Sequence, residues 1–457
     1  MTDSTISIEP LTGGDGTVLL GSLADVDIGA VGYVESEWRC TGTATSYRAP
    51  LGLGADGRWS LEADDSAPFS TRAVVRAPVD RSRASGTLVV EWLNVSSGTD
   101  AAPVFGFAGP EIVRAGHTWV GVSAQWAGVV SAPALVDVGG PGLVALQDAD
   151  PARYGTLHHP GDAYCFDLFT RVVDGLVAGL GPFEPDSFDT VIAVGESQSA
   201  YALTTYVNGF QPRSERFDGV LIHSRGGPCM PLGEPGRGVD LEAGRHDHAV
   251  RIRDDLRIPV LVLQTETDVL GHLDSYSARQ ADTDRLRLWE VAGSAHADRS
   301  LIGDFEEFLG CDEPVNRGQQ RFVVRSALRH LVAWADGGSP PPTAAPLDVV
   351  GTGDERGRPV YALDDVGNVT GGVRTPCVDA PAEVLSGLCA PGASHVCLLF
   401  GRRRPAPEDV LRSRYPTVGD YEVAYAAATA AAVDAGFVLA EDRDEILADA
   451  HPELITW

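Results

Sequence analysis

The sequence predicts an α/β protein built on a mostly parallel, doubly wound sheet. Three observations carry that expectation. Between residues 86 and 335, strand-like apolar runs alternate with helix-like segments. The runs are continuously apolar, as strands buried on both faces must be. Polar or glycine-bearing loops follow their carboxyl ends, where sites form in such sheets.

The elements follow in chain order. "GYVESEWRCTGTATSYRAP" (32–50) alternates polar and apolar residues like an exposed strand, and "FSTRAVVRAP" (69–78) reads as another. "GTLVVEWLNVSSG" (86–98) is a buried strand with a polar loop after it. "PVFGFAGPEIVRAG" (103–116) forms a helix and "HTWVGVSAQ" (117–125) a second buried strand. "PGDAYCFDLFTRVVDGLVAGLG" is a helix opening near Asp162 and closing at glycine. "SFDTVIAVGES" is a strand, and "QSAYALTTYVNGF" the helix that follows at once. "FDGVLIHSRGG", "IPVLVLQTETD" and "RLRLWEVAGSAH" supply three more strands, and "NRGQQRFVVRSALRHLVAWADGG" a closing helix.

Two regions break the alternation. Residues 226–257 are irregular and rich in Gly, Pro and charge, which reads as a cap-like insertion. The run "SPPPTAAP" separates a first unit, 1–340, from 341–457, whose turns and alanine-rich helix are expected to pack on the main body as a C-terminal extension.

Composition excludes much. The net charge is −29, so nucleic acid and anionic membrane surfaces are poor partners. All basic side chains are arginine, which removes P-loop, Schiff-base and Ser-Lys chemistry. Seven scattered cysteines form no CxxC, which fits reduced, mostly buried thiols in a cytoplasmic protein. Cys389 and Cys397 are near enough in sequence to raise a disulfide, but reduced thiols are the expectation. No run is long and apolar enough for a membrane helix.

The corner Gly195-Glu196-Ser197-Gln198-Ser199 joins a buried strand to a helix. It approximates G-x-S-x-G, the strained turn that exposes a nucleophilic serine, with Ser199 in place of the last glycine. An N-cap role is the plainer alternative. A competing corner, Gly121-Val122-Ser123-Ala124-Gln125, also ends a strand but lacks the small residue at its last position.

A serine hydroxyl needs a base, an acid to orient that base, and donors for the oxyanion. "TETD" offers Glu266 and Asp268 just past one strand, and "GSAH" places His296 after the next. Serine, acid and histidine stand in the chain order such hydrolases use. The register from Thr265 favours Asp268, with Glu266 the alternative. The Gln198 and Val95 amides are the expected oxyanion donors. Asn94, on the Val95 loop, and Arg225, at the mouth of the insertion, are expected to meet substrate, Arg225 alternatively anchoring the cap. His158, His159, His246 and His248 lack metal-ligand company and read as structural or solvent-facing. No metal and no cofactor is called for.

The order GESQS, TETD, GSAH resembles the α/β-hydrolase superfamily. More narrowly, "VEWLNVSSGTDAAP", "VGVSAQWAGV", "RYGTLHHPGDAYCFDLF", "GESQSAYALTTYVN" and "GNVTGGVRTPCVDAP" resemble a bacterial group of α/β-hydrolase-domain proteins, over most of the chain. The resemblance implies the α/β-hydrolase fold and hydrolysis of a small-molecule carboxylic ester through a serine acyl-enzyme. An acyltransferase using the same acyl-enzyme, or a binding protein on this fold, are the alternatives. Oligomeric state is not legible.

Overall fold

The computed structural model describes residues 6–22, 26–131, 143–244, 247–351, 358–390 and 392–457. Among them, nine strands form one sheet in the order β1-β2-β3-β5-β4-β6-β7-β8-β9. They are β1 (Ser7–Pro10), β2 (Tyr33–Arg48), β3 (Glu62–Pro78), β4 (Thr87–Trp92), β5 (Thr118–Val122), β6 (Thr190–Glu196), β7 (Gly219–His223), β8 (Val260–Thr265) and β9 (Leu286–Val291). From β4 to β9 all pairings are parallel. These are the predominantly apolar runs, and β4 to β8 are wholly buried. The expected doubly wound α/β-hydrolase sheet is present.

The N-terminal strands β1, β2 and β3 extend the same sheet. β2 and β3 pair antiparallel over nearly their whole length, and β3 continues onto β5. Their alternation marks an edge hairpin, half covered. Which sheet edge it joins depends on β5, far along the chain.

Both faces carry helices. Side chains of Val89, Ile192, Val194, Leu221 and Leu263 pack against α1 (Pro103–Arg114) and α4 (Gln320–Ala335). Leu88, Val90, Trp92, Val191 and Ala193 face the other way, onto α2 (Cys165–Val177) and α3 (Gln198–Thr205). Alternate residues of one strand serve opposite cores, as the pleat requires. After α3 the helix widens into a π turn, Tyr206–Phe210. There Asn208 donates to Arg251 O at 2.8 Å and accepts from Arg253 N at 3.0 Å, tying the insertion down.

The chain leaves β4 toward β5 on one side and returns to β6 on the other. The crevice beyond the carboxyl ends of β4 and β6 is therefore the sheet's switch point, the place where such folds bind ligands.

Residues after 341 are stitched to the body at several points. Arg325 pairs with Asp442 and Glu445, and Arg321 with Asp449. Phe322 of α4 packs against Ala432 of α5 (Val418–Asp434), with Val438 and Ile446. A disulfide joins Cys311 to Cys397, 86 residues apart. That corrects the expectation of seven free thiols. Cys389, the neighbour in sequence, instead donates to the Cys397 carbonyl at 2.9 Å. Folding, not spacing, selects the partner. The bond also removes reduced cysteines as an argument for a reducing compartment. Among the described residues no helix is long and apolar enough to cross a membrane.

Candidate active site

The corner after β6 is strained in the way a nucleophile turn requires. Ser197 has φ 60° and ψ −120°, a conformation L-residues rarely adopt. A Cβ on Gly195 would lie 3.0 Å from Leu203 Cδ1 and 3.1 Å from the Ser199 carbonyl, so only glycine fits without displacement. Ser199 replaces the last glycine of the pattern at no cost to the turn. Its hydroxyl donates to Glu196 O at 2.7 Å and accepts from Glu196 N at 3.0 Å. The Ser197 N–H bonds to His223 O of β7. The corner is thus held from both sides, and Ser197 remains partly exposed while its neighbours are buried.

Two loops converge on it. His296, five residues beyond the end of β9, places Nε2 2.8 Å from Ser197 Oγ. Its Nδ1 lies 2.7 Å from Asp268 Oδ1. Asp268 is fixed by a capping box at the end of β8. Its other oxygen accepts from Thr265 N at 2.7 Å and Thr265 Oγ1 at 2.8 Å. The structure therefore brings Ser197, His296 and Asp268 into one hydrogen-bonded line. With Asp268 on Nδ1, the arrangement suits the tautomer that leaves Nε2 free to accept from serine.

Glu266 is not in that line. Its carboxyl accepts from Gly293 N at 2.6 Å and Gly387 N at 2.8 Å, and burial pushes it up to about 7. It staples the histidine loop to the C-terminal segment. Thr267 completes the staple, accepting from His296 N and donating to Gly387 O. Tyr361 donates to Glu266 O at 2.6 Å. This brace from residues beyond 341 was invisible in sequence, since nothing local marks Gly387.

Three residues expected around the serine are held by the protein itself. The Val95 N–H is engaged, donating to Gln198 Oε1 at 3.1 Å. Asn94 faces the protein: its Nδ2 donates to Glu196 O at 3.0 Å, and its Oδ1 accepts from Ser96 N and Oγ. It ties the β4 loop to the strained corner. Arg225 is buried, and its guanidinium donates to the carbonyls of Gly226, Gly227 and Val250. Burial lowers it to about 10. Of its two expected roles it fills the anchoring one. The Gln198 N–H opens α3, where first-turn amides lack intrahelical acceptors.

Other histidines behave structurally. His159 is buried, with Nε2 2.9 Å from Ala124 O, and burial lowers its pKa. His158 meets Ser70 in an isolated β-bridge. His248 is exposed, and its Nε2 lies 2.9 Å from Leu53 O. His246 lies outside the described residues. No group of three or more metal-binding side chains occurs among the described residues.

One residue escaped sequence reasoning. Glu196 is 96% buried beside the serine, and its Oε1 lies 3.3 Å from His296 Nε2. Its place inside the corner motif was the available signal, but the motif does not say which way it points.

The alpha/beta hydrolase domain family matches residues 8–448. No curated protein matches. A serine hydrolase without a lid from Xanthomonas campestris is 13% identical. The match covers 59% of this chain and 90% of that one, at a TM-score of 0.31. A putative dienelactone hydrolase from Klebsiella pneumoniae is 10% identical over 64% and 98%, with a TM-score of 0.34. Est1E from Butyrivibrio proteoclasticus is 10% identical over 64% and 99%, with a TM-score of 0.32. The assignment rests on the family match, which spans nearly the whole sequence: the chain belongs to the alpha/beta hydrolase domain family.

Proposed function

We propose that the protein is a serine hydrolase of carboxylic esters, with Ser197 as nucleophile, His296 as base and Asp268 as the orienting acid. The observation that carries the reading is the line from Ser197 Oγ through His296 to Asp268, at 2.8 and 2.7 Å. Ser197 Oγ attacks the acyl carbon while His296 Nε2 takes its proton. Asp268 stabilises the imidazolium and holds the ring. The proton then passes to the leaving alcohol, and water repeats the cycle on the acyl-enzyme. The Gln198 N–H receives the developing oxyanion. The Val95 N–H joins it only when Gln198 Oε1 releases it. Arg225 anchors the insertion through Gly226, Gly227 and Val250, and Tyr361 and Gly387 brace the loops that carry Asp268 and His296.

A fluorophosphonate probe tests the reading without knowledge of the substrate. It should label the wild type at Ser197 and fail on Ser197→Ala. A folded wild type that resists the probe and hydrolyses no p-nitrophenyl ester, whatever the chain length, would overturn it.

A further inference from the structure

His296 Nε2 has two neighbours where the proposed reaction needs one. Ser197 Oγ stands at 2.8 Å and Glu196 Oε1 at 3.3 Å. Asp268 occupies the opposite nitrogen. One imidazole thus sits between two buried carboxyl groups. We propose that Glu196 is a positioning residue that sets the pH at which His296 becomes a base, by sharing one proton with its Nε2.

Proton bookkeeping defines the role. An ionised Glu196 facing an unprotonated Nε2 would set a negative charge against a lone pair. Holding one more proton removes the conflict in either of two ways. Glu196 is neutral and donates to Nε2, or Glu196 is ionised beside an imidazolium. Both arrangements occupy Nε2, so neither lets Ser197 pass its proton there. The site becomes competent when the pair loses that proton to solvent. Once it has, two carboxylates stabilise the imidazolium that forms as serine attacks, and the base is stronger than one acid alone would make it.

The surroundings support this assignment. Burial is the main influence on Glu196 and pushes it up to about 7, with Asp268 pushing the same way and His296 opposing. Among the described residues, Asp268 from the acid loop and His223 from β7 face the pair. Burial keeps His223 neutral, its imidazole lowered to about 4. It therefore does not take up the shared proton in the working range.

This inference rests on the serine reading above, and one experiment separates the two. The rate of fluorophosphonate labelling of the intact protein is followed from about pH 5 to about pH 9. In the wild type the acid limb should lie above the ordinary imidazole value of about 6.5. Glu196→Gln should move that limb down by about one pH unit. Glu196→Asp draws the carboxyl back by one methylene and should fall between them. A packing role alone would scale the rate equally at every pH and leave the limb in place. An unmoved limb in folded, labelled Glu196→Gln overturns the proposal. If that variant does not fold, an unmoved limb in Glu196→Asp overturns it instead. Wild type that does not label, or labelling that survives Ser197→Ala, removes the serine reading and this one with it.

Discussion

Two corners of this molecule carry a Gly-x-Ser pattern at the end of a strand, and only one has the makings of a site. Gly121-Val122-Ser123-Ala124-Gln125 ends β5, and Gly195-Glu196-Ser197-Gln198-Ser199 ends β6. Ser123 is fully buried, and its hydroxyl donates to Asp100 at 2.5 Å and accepts from Arg72 at 3.3 Å. Ser197 is turned outward by its positive φ and meets a histidine. Position in the sheet makes the difference. β6 borders the switch point, and the loops after β8 and β9 can reach it. β5 lies on the far side of β4, against the antiparallel hairpin. A serine motif acquires chemistry from the loops that converge on it, not from its own spacing.

The largest expected effect breaks or upholds that contrast directly. Ser197→Ala should lower kcat for ester hydrolysis by about 10⁶, while Ser123→Ala keeps activity within about tenfold of the wild type and instead loosens the Arg72 network. The reverse ranking in one assay would exchange the two corners.

Next is the acid. Asp268→Asn should cost about 10⁴ in kcat, because the histidine loses the partner that fixes its tautomer and stabilises its charge. Circular dichroism should show the fold retained. A loss below about tenfold would remove Asp268 from the proposed machinery.

The brace sharpens the comparison, since the Ser123 corner is held instead by Thr71 and Arg72 of β3 and by Asp100. A Cβ on Gly387 would stand 2.6 Å from Glu266 Cβ, from Ser294 O and from Thr267 N. Two of these are backbone atoms of the loops that hold Asp268 and His296. Gly387→Ala should therefore displace them, lowering kcat by roughly 10²-fold with a smaller change in KM. Steady-state kinetics and a melting curve check this together, and unchanged kcat would show the brace irrelevant to the site.

The smallest effect belongs to Glu266→Gln. Glutamine cannot accept from both Gly293 and Gly387 through two oxygens, so one buried N–H faces an amide nitrogen. The expected cost is about 1–3 kcal/mol of unfolding free energy, read by denaturant titration. Activity should fall less than about tenfold, because the line through His296 is untouched. A loss as deep as that of Asp268→Asn would transfer the acid's role to Glu266.

Sequence alone determined the sheet and the order of the candidates. A parallel strand buried on both faces is predominantly apolar, so β4 to β8 were legible one by one, while β9 sets Arg287 and Glu290 among its apolar residues. Ser197, Asp268 and His296 were legible because each stands at the carboxyl end of such a strand, and capping and turn signals are local. Tertiary structure decided everything that depends on a partner far along the chain. The Val95 amide is engaged by a side chain 103 residues away. Arg225 turned inward because insertion carbonyls were there to receive it. Cys397 found Cys311 rather than its sequence neighbour, and Gly387 reached Glu266 across 121 residues. Glu196 shows the division most clearly. Its identity lay in plain view beside the serine, but strand pleat and burial aimed its carboxyl at the histidine, and spacing along a chain carries no record of that direction.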